Sequence, residues 1–345
     1  MKNIDYSIYK NIMSDNPIID KDYISHITKS EVKKINITEI VKSNTALTIK
    51  VNASENKLFI KTVKSESEKN TYHNMSLREG LFYRTLDEIE TINIPVPKCY
   101  DVYISEETGE FVIILDDISE MYMSPTQKNL DSKDTWFSCV ESLSMFHAVF
   151  WNHKIVKQDT LEIHDSQKDR ECLKSFINAF KNKFDDRTKR TLYNAMEINI
   201  NLINEESNRL FHLDNVTLCN GDSHIYNFML PKKITDKPVI VDFQFWHEGI
   251  GISDLAHLTR VNFSNKHKEY IQNQLVEHYY KSLLQYGVTG YSWNDCFIDY
   301  RKSVASMVLI PLWQYAGFGL EYDKWIKDLN GLIYNYEYMQ CDELL

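Results

Sequence analysis

Apolar and polar positions alternate through ITEIVKSNTALTIKVNASENKLFIKTVKS (37–65) and pause at the polar NASENK. A period of two broken by a polar turn predicts an antiparallel hairpin, with ALTIKV and KLFIKTV as its arms and Lys61 near the end of the second. The pattern then changes. In MSLREGLFYRTLDEI apolar residues fall at 77, 81, 82 and 86, a helical spacing that sets Arg78 and Glu79 beside the buried face. IPVPKCYDVYISEETGEFVIILDDIS reads as a proline-bounded approach, a strand, the turn EETGE and a second, wholly apolar strand. The switch from FVIIL to DDIS is a natural boundary, predicting a first lobe over 1–115 and a second over 116–345. Beyond it the periodicity is mostly helical: WFSCVESLSMFHAVFWNH (136–153) carries apolar residues at 136, 140, 143, 146 and 150, and 170–211 and 265–287 continue in this style. The expected fold class is α+β: a small β-rich lobe with one helix, then a larger, mainly helical lobe.

Length supports the division, because 345 residues exceed what one core usually holds. Hydrophobic residues make up 43% and charged residues 26%, as in ordinary globular chains. The net charge of −10 argues against non-specific nucleic-acid binding and against docking on an anionic membrane. It permits a cationic small molecule without requiring one. No basic start followed by an apolar run predicts a signal peptide, and no apolar stretch has the length of a membrane span. The six cysteines are scattered without a CxxC pair or zinc spacing, so reduced thiols in a cytoplasm are expected. Nothing in the pattern speaks to oligomeric state.

Two stretches break the apolar pattern, NGDSHIYNFML (220–230) and VIVDFQFW (239–246). Each places Asp222, Asn227 or Asp242 where a packed interior would prefer no such group, and a buried carboxylate needs a partner, which a metal ion can supply. Asp222 and Asn227 stand in D-x-x-x-x-N spacing after the short apolar VTLC, and Asp242 ends the strand PVIV. If the flanking strands pair as a hairpin joined by LPKKITDKP, the Asn227 amide oxygen and the Asp242 carboxylate converge on one cation. Hard oxygen ligands around magnesium, with Asp222 nearby to receive a hydroxyl proton, make a phosphoryl-transfer arrangement. The loop spacing is the one protein kinases use.

The series NGDSHIYNFML…VIVDFQFW…GISDLAHL resembles the aminoglycoside phosphotransferase and choline kinase superfamily, with its roughly HGDxHxxN, strand-end DxQ or DxE, then DLA. The DFQ form and the FHAVFW helix are closest to the ecdysteroid kinase-like branch and its bacterial relatives. The resemblance runs over nearly the whole chain and implies a bilobal protein-kinase-like fold, ATP and Mg²⁺ as cofactors, and a small-molecule hydroxyl as acceptor. It implies Lys61 as the contact to the nucleotide phosphates, Glu79 as the carboxylate holding that lysine, and the backbone of Asp116 and Ile118 as the adenine hinge. Asn227 and Asp242 would bind magnesium, and Asp222 would orient the acceptor.

Three departures matter. Asn220 replaces the usual histidine before GD, Gln244 stands where protein kinases have the glycine of a flexible switch, and no glycine-rich loop exists. Ser43, Asn44 and Thr45 would therefore cover the phosphates. A catalytically weak pseudokinase that binds nucleotide or a protein partner is the alternative reading; a protein-phosphorylating enzyme lacks its peptide-docking segment, because DLAHL follows DFQ within a dozen residues. His224 is expected to be a hydrogen-bonded loop residue and Asp254 a helix N-cap, and the resemblance implies that Asp254 also braces the loop. Trp246, His247 and Glu248 are candidates to face the acceptor, with a surface position equally open to Glu248. The aromatics Trp313, Tyr315, Phe318 and Tyr322 fit either a core or a pocket for a bulky, partly apolar alcohol.

Overall fold

The computed structural model describes residues 5–42, 46–63, 73–87, 89, 93–105, 107–157, 166–180, 182–233, 235–260, 265–312, 314 and 322–345. They form two compact units: Met1–Ser124 with Met229–Trp246, and Pro125–Phe228 with His247–Leu345. A single boundary after residue 115 does not describe this division. The hinge residues and the segment carrying Asp242 both belong to the first unit, since Ile240 donates its N–H to the Pro95 carbonyl and Lys232 its ammonium to that of Ser119.

The first unit is built on a five-stranded antiparallel sheet in the order β1-β2-β3-β5-β4. Its strands are β1 (Ile35–Lys42), β2 (Leu47–Ala53), β3 (Asn56–Thr62), β4 (Cys99–Ser105) and β5 (Glu110–Asp116). The predicted hairpin is β2–β3, registered from Leu47 opposite Thr62 to Ala53 opposite Asn56. Alternation decides which face is covered: Leu47, Ile49, Val51 and Ala53 are buried, and the residues between them are not. β5 buries Phe111 through Leu115 without alternation because it lies between two strands and is covered on both faces.

One face is covered by two short helices that the periodicity did not predict, α1 (Tyr6–Met13) and α2 (Lys21–Thr28), so the described residues of this unit hold three α-helices rather than one. Asp5 and Asp20 cap them by accepting the N–H groups of Ser7 and Tyr23. Tyr9, Ile12, Tyr23 and Ile24 then join Ile49, Leu58, Ile60 and Ile114 in one core. The expected helix, α3 (His73–Leu86), lies close to β4: a Cβ on Gly80 would come within 3.0 Å of Ile104 Cδ1. Three short strands complete the unit, β6 (Tyr122–Met123), β8 (Phe228–Pro231) and β9 (Val239–Ile240), in the order β6-β8-β9.

In the second unit α4 is a single turn (Gln127–Leu130), followed by α5 (Lys133–Phe150), α6 (Ser166–Ala179) and α7 (Asp186–His212). After these come β7 (Thr217–Cys219), β10 (His247–Gly249), α8 (Ile252–Arg260), α9 (Asn265–Gln285), α10 (Trp293–Met307) and α11 (Tyr322–Tyr338). α5 buries Trp136, Val140, Leu143, Phe146 and Phe150, the positions its periodicity marks. The strand VTLC pairs with β10, Cys219 opposite His247, while PVIV pairs with β8 beyond the loop. α7 and α10 are tied by Arg209, whose guanidinium donates to both oxygens of the buried Asp299 at 2.7 and 3.0 Å. Among the described residues no helix is long and apolar enough to cross a membrane, and none of the six cysteines is disulfide-bonded.

Candidate functional site

Strand β3 delivers Lys61 to the buried side of the sheet, and α3 brings Glu79 to it as an ion pair. Both side chains are almost wholly enclosed, and Asp242 Oδ1 stands 3.6 Å from the Lys61 ammonium. Burial opposes charge on Lys61, yet the two carboxylates outweigh it and hold the lysine above its ordinary value. Burial also lifts Glu79 above the usual carboxylate range, with Lys61 pulling the other way and Asp242 adding to the rise. The lysine is therefore cationic and fixed, a point charge suited to an anionic ligand.

Asp242 itself sits at φ 62°, a left-handed conformation uncommon outside glycine and often found where function demands a particular side-chain direction. Its segment is fastened to α3. Phe243 stacks on Phe82 with ring centroids 3.7 Å apart; Arg78 donates to the Trp246 carbonyl at 2.7 Å, and Trp246 Nε1 returns a bond to the Arg78 carbonyl at 2.6 Å. Lys61, Glu79 and Asp242 line a cavity of about 340 Å³, whose other walls include Phe59, Leu115, Asp116, Ile118, Met229 and Val241. Apolar walls with a few convergent charges are the ordinary make-up of a small-molecule site. The hinge edge is clamped by backbone bonds from Asp116 to Lys98 and from Asp117 to Lys57, both 2.9 Å.

The second unit builds the GD loop around one acid. Asp254 lies inside α8 and is fully buried; its Oδ2 accepts the Asn220 N–H at 2.6 Å and its Oδ1 the Gly221 N–H at 2.9 Å. His147 Nε2 stands 3.2 Å from the same Oδ2, and because a carboxylate only accepts, that nitrogen carries the proton. His147 Nδ1 is in turn 2.8 Å from the Tyr279 hydroxyl. Although burial opposes it, the bonds from His147 and Gly221 hold the Asp254 carboxyl below its usual range. Gly221 adopts φ 79°, which its missing Cβ permits. His147, Cys219 and Asp254 offer atoms within 4.8 Å of one another, but burial drives the thiol well up and the other two are hydrogen-bonded, so the trio is a polar core rather than a metal centre.

The loop is folded onto itself. Asn220 Oδ1 accepts from the Asp222 N–H at 3.2 Å, and the Asp222 carbonyl accepts from the His224 N–H at 2.7 Å and from Asn227 Nδ2 at 2.8 Å. The last bond orients the Asn227 amide, with nitrogen inward and Oδ1 as the group offered to a cation. The Asp222 carboxylate lies between two imidazoles, with His257 Nε2 3.5 Å from Oδ1 and His224 Nε2 3.6 Å from Oδ2.

A profile of the ecdysteroid kinase-like family matches residues 20–287, well over half of the chain. The chain belongs to the ecdysteroid kinase-like family. Its fold is the protein-kinase-like fold of small-molecule phosphotransferases. A Ralstonia eutropha protein assigned as an aminoglycoside phosphotransferase is similar at TM-score 0.59 and 13% identity, over 93% of this chain and 98% of that one. Choline kinase of Cryptosporidium parvum is similar at TM-score 0.54 and 13% identity, over 97% and 94%. An aminoglycoside phosphotransferase of Alicyclobacillus acidocaldarius gives TM-score 0.50 and 11% identity, over 95% of each chain. No curated protein matches the sequence.

Within this ecdysteroid kinase-like chain the expected residues form two groups. Lys61, Glu79, Asp116, Ile118 and Asp242 share one cavity of the first unit, and Asp222 and Asn227 share one loop of the second. Ser43, Asn44 and Thr45 lie outside the described residues, as do Trp313, Tyr315, Phe318 and the side chain of Tyr322. Asp254 is not an N-cap: it stands three positions into its helix, and its oxygens serve the loop instead. Trp246 and Glu248 do not face outward; both are buried, Trp246 against α3 and Glu248 in the β7–β10 ladder. Sequence reasoning passed over His147 and His257. The signal for His257 was available, since in DLAH it falls three residues after Asp254 on the same helical face.

Proposed function

We propose that the protein transfers the γ-phosphoryl group of ATP to the hydroxyl of a small molecule. The observation that carries this reading is the Lys61–Glu79–Asp242 constellation in the wall of a ligand-sized cavity, in a chain of the ecdysteroid kinase-like family. Lys61, fixed by Glu79, binds the phosphates, and the backbone at Asp116 and Ile118 holds the base. Asp222 orients the acceptor hydroxyl. As the new oxygen–phosphorus bond forms and the bond to the ADP oxygen breaks, the hydroxyl proton passes to Asp222. Because phosphoryl transfer has a loose transition state, position counts for more than base strength.

Asn227 and Asp242 suit Mg²⁺, since each offers a hard oxygen, one an amide oriented by its own hydrogen bond and the other a half-exposed carboxylate at a strained backbone position. When bound, magnesium supplies neutralisation of phosphate charge. The structural relatives, a choline kinase and aminoglycoside phosphotransferases, favour a small alcohol as the acceptor class, and the reduced cysteines suit a cytoplasmic enzyme. The test is Asp222→Asn, assayed with ATP against a panel of alcohols. Turnover should fall at least a hundredfold while the thermal shift given by Mg·ATP persists. Transfer at the wild-type rate would sink the assignment.

A further inference from the structure

Helix α8 touches the GD loop twice. Asp254 holds the loop backbone, and one turn later His257 meets the side chain of Asp222, its Nε2 3.5 Å from Oδ1. That distance is longer than the about 2.7–3.2 Å of a formed N–H···O bond, and contacts at ligand-free sites are often long in this way and tighten when substrate arrives. His257 Nδ1 is buried and has no hydrogen-bond partner among the described residues. This decides the tautomer. A proton on Nδ1 would bury an unsatisfied donor and turn the Nε2 lone pair on a carboxylate, whereas a proton on Nε2 points a donor at Oδ1 and leaves only an acceptor orphaned.

We infer that His257 is a positioning residue for Asp222: its Nε2–H holds Oδ1, so that Oδ2 presents a fixed lone pair to the acceptor hydroxyl. This rests on the reading of Asp222 given above. Exposure agrees with the division of labour, for the His257 side chain is 8% exposed, whereas His224, which faces Oδ2, is 30% exposed. Oδ2 is thus the edge on the open side. The groups around His257 are Asp222, Asp254, His224 and Arg260. Burial first, then the Arg260 cation, bring its pKa down to about 3, with Asp254 opposing. A neutral donor orients the carboxylate without locking it in an ion pair that would weaken it as a proton acceptor.

The test has two readouts. Long-range ¹H–¹⁵N NMR of the imidazoles should show His257 neutral and protonated on Nε2 from pH 8 to pH 5. An Nδ1–H pattern, or titration within that range, overturns the inference. Hydrolysis of Mg·ATP, with water as the acceptor, then reads the role. His257→Leu should lower kcat by about tenfold to a hundredfold with KM for ATP within about twofold, the range seen when orienting contacts are lost. His257→Gln, whose amide can donate, should recover most of the rate. A His257→Leu kcat within twofold of wild type, or a His257→Gln variant as slow as His257→Leu, overturns it. Asp222→Asn run alongside separates the two ideas: an inactive Asp222→Asn with a fully active His257→Leu removes only the role of His257, whereas a fully active Asp222→Asn removes the reading beneath it.

Discussion

Replacing Asp254 by asparagine separates two accounts of what this acid does. As a helix N-cap, asparagine is as good as aspartate, and the substitution would cost almost nothing. As the brace of the GD loop, it must be expensive. Asp254 Oδ2 accepts from Asn220 at 2.6 Å and faces the His147 Nε2–H at 3.2 Å, while Oδ1 accepts from Gly221 at 2.9 Å. The asparagine amide has one oxygen. Its cheaper orientation sets that oxygen at the Oδ2 position and turns NH₂ on the Gly221 N–H. One charge-assisted bond is then lost, a buried donor faces a donor, and two further bonds become neutral. The cost is about 3–5 kcal/mol, a large part of the roughly 5–15 kcal/mol that stabilises a typical protein.

Urea denaturation at pH 7, followed by near-UV circular dichroism, measures it. The sign of the pH dependence gives a second check. The folded-state pKa of Asp254 is depressed, so its contribution is fully present above the unfolded value near pH 4 and is lost as pH falls through the lower folded value. The gap between wild type and Asp254→Asn should therefore close below about pH 4. A difference under about 1 kcal/mol at pH 7 would refute the brace and return Asp254 to a local helix role.

Two glycines should respond with opposite sign in calorimetry. A Cβ on Gly251 would come within 2.7 Å of Thr217 Cγ2 and 2.9 Å of both His147 Nδ1 and the Tyr279 hydroxyl, so Gly251→Ala should destabilise by about 1–3 kcal/mol. Gly331, inside α11 with none of the described residues within 4 Å of its Cβ position, should give a gain of up to about 1 kcal/mol as Gly331→Ala. Lys61→Met leaves Glu79 buried without its cation and should cost about 3–5 kcal/mol at pH 8. Lys61 opposes the burial-driven rise of the Glu79 pKa, so its loss raises that pKa further, and protonation at low pH then relieves the variant more than the wild type; the penalty in urea denaturation should be smaller at pH 5, and an equal penalty at both would contradict the pairing.

What the sequence made legible was residue type joined to local spacing. D-x-x-x-x-N names a loop whose members are only five positions apart, and the alternation around Lys61 names its strand and face. What it did not disclose was partnership over distance. His147 and Asp254 are 107 positions apart and Arg209 and Asp299 are 90 apart, and a single polar pair imposes no periodicity on either helix. The helices α1 and α2 escaped for a related reason. Each spans eight residues, too few for a 3.6-residue repeat to declare itself, and their stability comes from an N-cap and from docking on the sheet. Asp254 was read half rightly: the resemblance implied that it braces the loop, whereas the cap was expected because an acid beside the start of an apolar helix is most often one. The fold identifies the amides it serves, those of Asn220 and Gly221, more than thirty positions upstream.

One departure in the motif acquires its physical meaning from the packing. Where protein kinases carry a glycine after the aspartate and aromatic residue, this chain has the buried Gln244, which removes the freedom a swinging segment needs. The structure supplies a second restraint of the same sense. To swing, residues 242–246 would have to unstack Phe243 from Phe82 and break both Arg78–Trp246 bonds. At about 0.5–1.5 kcal/mol for each bond and for the stacked pair, before any burial of the two rings is counted, the moved state is disfavoured by a few kcal/mol. Glu79 and Asp242 are thus held on either side of Lys61 by the same contacts that join their two segments, so the charge constellation is preformed and does not wait on a switch.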